Sequence, residues 1–429
     1  MPLINRPGAV TAATALLWCQ PLSAAINSEY SVGITEEWTD NVYFASSDKR
    51  HDLISELFVG VDFSNDERSP HQYGMEYQFT REEYLRDSFG GTNYLEGAGY
   101  ADVELLPQRL FWNSTVVSSV TQRNSSGPDD PDNRDQRNTV STGVDYNLVS
   151  GIRDTLSLGV EATAVRFRET DGSSDRYSAD ASWVHRFNRL TSGGFSCTGE
   201  DVNFRDQDNE DYESVQCLLT LSRQLVRGSV AMEAGRRAIN PATGETVDGL
   251  SYNLNFSWLD GPHRLSVVAT RDITDTTVGL DSDLFVGGID PLDQNTDITA
   301  LTLRKRVEMS YGYRLSGSSE VEALVYRDSD DIYDSTLDND REGVYLGYTR
   351  QLTRDTELSL KYDYGRSETA LDSSRSSVDY NQVFQILGTR IFSRHFDVSL
   401  GLTAERQDGK QASRDYEVYS VMGTLFYRF

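Results

Sequence analysis

Histidine, cysteine and clustered carboxylates are the residues of this 429-residue chain whose types could do chemistry, and their spacing gives them little to do. Of the five histidines, His71, His185, His263 and His395 stand in or beside expected tight turns, leaving His51 alone near the opposite rim. No Ser, His and carboxylate converge by spacing, so a triad has no footing. The expectation is no enzyme and no catalytic residue. Asp206-Gln207-Asp208-Asn209-Glu210-Asp211 and Asp328-Ser329-Asp330-Asp331 offer hard oxygen ligands suited to calcium. Neither has the glycine and distal glutamate of an EF-hand loop, so both read as solvated acidic loops, with no metal and no cofactor. Cys197 and Cys217 are symmetric about Gln207, and a hairpin turning there would set them opposite each other. Sequence leaves the bonded and the free forms both open, because disulfide geometry is narrow.

The elements that position these residues are strands. Residues 1 to 25 read as a secretory signal, with Arg6, the apolar run Ala9 to Trp18 and the small residues Ser23-Ala24-Ala25. Trp18 is too bulky for a lipoprotein site at Cys19. Beyond the signal no run of about 18 apolar residues exists, which excludes a spanning helix. Period-two alternation is clean at Leu250-Ser251-Tyr252-Asn253-Leu254-Asn255-Phe256-Ser257-Trp258, and recurs at Leu53 to Phe63, Val140 to Leu148, Leu358 to Tyr364 and Phe396 to Ala404. A ribbon with one apolar and one polar face can cross a membrane only as a closed barrel, which pairs every backbone group.

The expected fold is therefore all-β, a transmembrane antiparallel up-and-down barrel of about 20 strands, with 18 as the alternative, spanning 26–429 as one domain. Short connections such as Pro107-Gln108 and Asp260-Gly261-Pro262 alternate with long ones at 124–135, 204–211, 239–248, 276–297, 328–340 and 406–413. That alternation puts both termini in the periplasm, and a first strand near Glu29 to Tyr43 leaves no room for a plug domain before it. Glu76, Glu96, Asp102, Asp145, Glu161, Lys361, Asp363 and Asp397 fall on the interior face, with Tyr94 and Tyr100.

The chain ends on an apolar, aromatic face, Leu425, Tyr427 and Phe429, as expected for a terminal strand read by barrel-assembly machinery. Leu280, Leu284, Phe285 and Val286 are more apolar than an exposed loop should be. They would form an inward constriction, a cover over the rim or a short hairpin. With 67 acidic against 40 basic residues and a formal charge of −27, nucleic acid is excluded as a partner. The expected partners are outer-membrane lipid and lipopolysaccharide, and the expected location is the cell outer membrane.

The opening Glu37-Trp38-Thr39-Asp40-Asn41-Val42, a following loop and a second strand at Asp52 to Phe63 resemble the outer-membrane barrel family associated with PEP-CTERM/exosortase systems, related to porins of exopolysaccharide export loci. Thr39, Asp40, Asn41 and Val42 match that family's element closing the first strand; Val59-Gly60-Val61 departs from its usual Pro-Gly pair. The resemblance implies a porin-like conduit for export or assembly of exopolysaccharide, with the polysaccharide and its export machinery as partners. A non-conducting scaffold for a partner protein and a general diffusion porin are the competing expectations.

Overall fold

The computed structural model describes residues 26–65, 69–123, 128–205, 210–275, 301–333, 338–372, 375–409 and 415–429. The expected signal and the apolar residues Leu280, Leu284, Phe285 and Val286 lie outside them.

Twenty antiparallel strands follow one another around a closed wall. They are β1 (Ile26–Thr39), β2 (Asp52–Asn65), β3 (His71–Tyr84), β4 (Thr92–Leu106), β5 (Leu110–Gln122), β6 (Arg134–Ser150), β7 (Asp154–Phe167), β8 (Ser174–Asn188), β9 (Thr191–Phe204) and β10 (Tyr212–Leu225). The circuit continues with β11 (Gly228–Pro241), β12 (Val247–Asp260), β13 (His263–Asp275), β14 (Leu301–Ser316), β15 (Ser319–Ile332), β16 (Asn339–Thr353), β17 (Thr356–Asp372), β18 (Arg375–Ile391), β19 (Phe396–Gly409) and β20 (Tyr416–Arg428). Each strand pairs with its sequence neighbours, and β1 pairs with β20 from Ser31↔Arg428 to Thr39↔Ser420. That last pairing removes the two free edges which hydrocarbon could not tolerate. The count of 20 is the expected one, and 18 is set aside.

Alternation along each strand decides which face meets what. In β12, Leu250, Tyr252, Leu254, Phe256 and Trp258 share the outer face, and Ser251, Asn253, Asn255 and Ser257 the inner one. Leu219 is 71% and Leu400 66% exposed, a fraction that only lipid makes favourable for so many large apolar side chains. The conventional order, apolar in and polar out, is inverted.

Several strands run further than their sequence suggests. The expected connections 239–248, 328–340 and 406–413 shrink because β11 runs to Pro241, β12 starts at Val247, β15 runs to Ile332 and β19 to Gly409. The expected first strand stops at Thr39, short of Tyr43. Asp328-Ser329-Asp330-Asp331 is accordingly no solvated loop but part of β15. Two close approaches depend on glycine. A Cβ on Gly33 would collide with the Phe58 ring, which lies over it and stacks on Phe426 at 5.8 Å. Gly97, at φ +145°, stands where the β4–β5 pairing begins.

Candidate functional site

The candidate site is the inner face of the wall, and it divides into two sectors of different chemistry. On β2, β3 and β4 the inward positions include Glu56, Asp62, Glu76, Glu96 and Asp102, brought together by the registers Asp62↔Glu76, Gln78↔Glu96 and Gln72↔Asp102. None of these five makes an ion pair among the described residues. Arg134, which approaches Glu82 at 3.1 Å and lies 5.6 Å from the Tyr94 ring centre, is a nearby cation in a groove that also holds Glu56 and Glu96. Tyr100 faces inward opposite Gly74 and is about half exposed. Unpaired carboxylates facing a wet lumen make a negative field that concentrates cations and opposes anions.

The inner face of β14, β15 and β16 is charged as well, but there the charges pair across strands. Arg304 Nε donates to Asp330 Oδ1 at 2.9 Å, Arg341 reaches Asp330 at 3.3 Å, and Arg306 bridges Glu308 at 2.6 Å and Asp328 at 3.7 Å. Arg304, Arg306 and Asp328 are buried, the last at 1% exposure. These aspartates therefore serve as the counterions of three arginines.

Between the sectors the wall bends. The β12–β13 pairing stops at Tyr252↔Arg271, although β12 starts at Val247 and β13 runs on to Asp275. Beyond that point β13 stays with β14, as far as Asp275↔Leu301. Asp275 then meets Arg176 of β8 at 2.9 Å and accepts the Tyr212 hydroxyl of β10 at 2.5 Å. Five strand spacings of about 4.8 Å would set β8 and β13 some ~24 Å apart along a round wall, far beyond the reach of one Arg and one Asp. The upper β13–β14 hairpin must therefore lean across the lumen.

Below this latch Val202, Tyr212, Ile239 and Ile273 form a buried apolar cluster. Gln216 holds Ser251 at 2.8 Å, and Arg237 holds Asp272 at 2.9 Å and Glu200 at 3.1 Å. The lumen is thus narrowed at the end carrying the long connections. Sequence reasoning did not find this latch, because its members lie on different strands and share no local pattern.

The positions singled out in the sequence fall at the seams. Thr39 closes β1, and Asn41, fully buried, donates to the Ala45 carbonyl at 2.9 Å and the Glu417 carbonyl at 3.0 Å while accepting from the Ala45 amide at 3.0 Å. Asp40 accepts the Tyr419 amide at 2.8 Å, and Val42 is buried. The four residues Thr39 to Val42 clasp the first strand to the last at the long-connection end. At the other end Phe429 donates its amide to Tyr30 at 2.8 Å, and its ring meets Tyr427 edge-on at 4.9 Å, with Leu425 on the same outward face. Cys197 and Cys217 stand directly opposite each other on the outward face of β9 and β10, joined as a disulfide with Cα atoms 4.1 Å apart.

Three of the five histidines serve a girdle at the short-connection end. His185 lies 2.8 Å from Asp154 and 5.9 Å from the Trp183 ring, His263 contacts Tyr311 at 2.7 Å, and His395 meets the Arg428 carbonyl at 2.9 Å and the Tyr427 ring at 6.1 Å. Around the opposite mouth, Tyr43, Tyr84 and Phe89 pack edge to face at 5.2 Å. In the connection before β6, burial holds the Asp130 carboxyl above its ordinary range even though it accepts the Asn133 amide at 2.9 Å. A closed strand wall with an apolar belt between two aromatic rims is the architecture of an outer-membrane β-barrel.

No family model matches the chain, and no curated protein is similar to it. Among solved structures it is similar to the FrpB iron transporter of Neisseria meningitidis, at 8% identity and TM-score 0.49 over 95% of this chain and 83% of that one. It is also similar to the anion-selective porin of Comamonas acidovorans, at 10% identity and TM-score 0.42 over 95% and 100%. OpdK of Pseudomonas aeruginosa stands at 10% identity and TM-score 0.41 over 94% and 99%. At TM-scores below 0.5 these likenesses carry no weight for function or substrate.

Proposed function

We propose that this chain is a porin-like conduit of the outer membrane whose mouth is narrowed by the inward-leaning β13–β14 hairpin and whose lumen favours cations or neutral solutes. The observation that carries the reading is the inverted face order: Glu56, Asp62, Glu76, Glu96 and Asp102 have no ion-pair partner among the described residues, and only water in an open lumen can hydrate them. Planar-bilayer recording of the purified protein tests it. Discrete cation-preferring conductance steps are expected; a membrane that stays sealed under applied voltage at saturating protein would refute it.

The finer reading, that the cargo is a surface polysaccharide, is supported by the resemblance carried by Thr39, Asp40, Asn41 and Val42 and by inward-facing Tyr100 and Tyr345, ring types on which sugars stack. The carboxylates around Tyr100 would oppose a strongly anionic chain, so a neutral or weakly charged glycan fits better. Secretion of such a polymer should fall in a deletion strain, and normal secretion would leave the general porin. Recognition of the Leu425, Tyr427 and Phe429 strand by the assembly machinery, and absence of catalysis, belong to the same proposal. For the latter, the support is that His185, His263 and His395 are engaged in the girdle.

A further inference from the structure

On the outer face, the apolar runs of β13, β14 and β15 each end in a basic residue on the side of the long connections. Val267 and Ala269 lead to Arg271, Met309 and Val307 lead to Lys305, and Val321, Ala323 and Val325 lead to Arg327. The registers Arg271↔Lys305 and Val307↔Arg327 make the three cations neighbours on one face. In β11 the equivalent Arg236 is already held by Asp248.

Two of the three, Arg271 and Arg327, have no ion-pair partner among the described residues, whereas the third has one. Lys305 lies 2.6 Å from Asp331. The guanidinium groups of Arg271 and Arg327 have no hydrogen bond or ion pair among the described residues, and the Arg271 Nε is buried. Glu342, opposite Arg327, is engaged by Arg366 at 3.3 Å. A charge on the lipid face is penalised increasingly with depth, so an unneutralised pair at the edge of the belt calls for an anion from the membrane side. Beside them a groove of about 520 Å³ is lined by Val307, Met309, Val325 and Tyr252 together with polar groups that include Lys305, Arg306 and Arg327.

We propose that this arc binds a phosphorylated glycolipid of the outer leaflet, with its phosphate held by Arg271, Lys305 and Arg327 and an acyl chain lying in the groove over Val307, Met309 and Val325. Guanidinium groups match phosphate oxygens bidentately, and the apolar floor selects a lipid over a free anion. In a chain of formal charge −27, such an arc also gives the wall a defined contact with an anionic leaflet that its acidic loops would repel.

Native mass spectrometry of the detergent-solubilised full chain, titrated with diphosphoryl lipid A, its dephosphorylated form, phosphatidylglycerol and inorganic phosphate, tests the assignment. Diphosphoryl lipid A should bind about tenfold or more tighter than the dephosphorylated form, and Arg271→Ala/Arg327→Ala should abolish that margin. Arg327→Gln alone, at an exposed position, should reduce it in a protein whose heat-modifiable gel mobility is unchanged. Equal binding of the dephosphorylated lipid, equal binding of phosphatidylglycerol, full competition by inorganic phosphate, or a margin unaffected in both variants would each overturn the proposal. Conductance of the wild-type barrel is indifferent to these outcomes, so failure here leaves the conduit reading standing.

Discussion

The inner faces of β2–β4 and of β14–β16 carry comparable numbers of charges and use them in opposite ways. In the first sector Glu56, Asp62, Glu76, Glu96 and Asp102 have no ion-pair partner among the described residues, although Glu82 beside them meets Arg134; in the second, Arg304, Arg306 and Arg341 interleave with Asp328 and Asp330 and are shut away from solvent. The lesson is that a charged lumen is not one device. Paired charges leave the wall of β14–β16 close to neutral, beside the strand ends where Asp275 finds Arg176, while unpaired ones would, in the proposed conduit, bias which ions enter the space that remains.

Breaking the latch should have the largest effect. Asp275→Leu removes the 2.9 Å partner of buried Arg176 and leaves it Glu200 at 3.6 Å, so the cost should approach, without exceeding, the roughly 3–5 kcal/mol of a buried pair that loses one partner. The temperature of the heat-modifiable gel shift should fall clearly, whereas Glu76→Gln in the other sector should leave it in place. Next is the clasp. Asn41→Ala strands the part-buried Ala45 amide and carbonyl, while the Glu417 carbonyl keeps its bond from Lys49 Nζ at 2.9 Å, so roughly 1–3 kcal/mol is expected. Urea unfolding in detergent or lipid should register it. The disulfide closes a hairpin of sequence separation 20, worth roughly 3 kcal/mol at most in a chain-entropy account and less here because the strands are already zipped. Cys197→Ser/Cys217→Ser should therefore shift unfolding only modestly.

Smallest in energy, and sharpest for the comparison, is selectivity. Glu56→Gln/Glu76→Gln/Glu96→Gln should lower the cation-over-anion permeability ratio roughly two- to threefold, read as a reversal potential across a salt gradient. Lys361→Gln, on the inward face of β17 beside Asp363, should move it slightly the other way. A triple variant that leaves the ratio untouched would mean the acidic sector does not line the permeation path.

Sequence alone revealed the wall because period two is local: Leu250 to Trp258 states both faces of a strand in nine residues. Tight turns such as Pro107-Gln108 were equally plain. Those at 189–190, 226–227 and 392–395 contain neither Pro nor Gly, and β9 contrasts weakly, with Gly193 and Gly199 on its outer face and Gly194 on its inner one. Asp328 to Asp331 looked like a loop because an acidic run inside a barrel strand has the composition of solvent-exposed chain; only its partners, Arg304 and Arg306 on another strand, reveal it. The latch was invisible for the same reason, since Arg176 and Asp275 are 99 residues apart. Thr39 to Val42 stood out in sequence, but their work at the β1–β20 seam depends on Glu417 and Tyr419 at the far end of the chain.

The inward lean is the central claim, and the most direct measurement compares single-channel conductance of the wild type with Arg176→Met/Asp275→Leu, which removes both charges together and leaves neither stranded. A larger unitary conductance in the double variant, with the barrel still heat-modifiable, is the predicted result. Identical conductance in the two proteins would contradict it, because the latch would then not govern the width of the mouth.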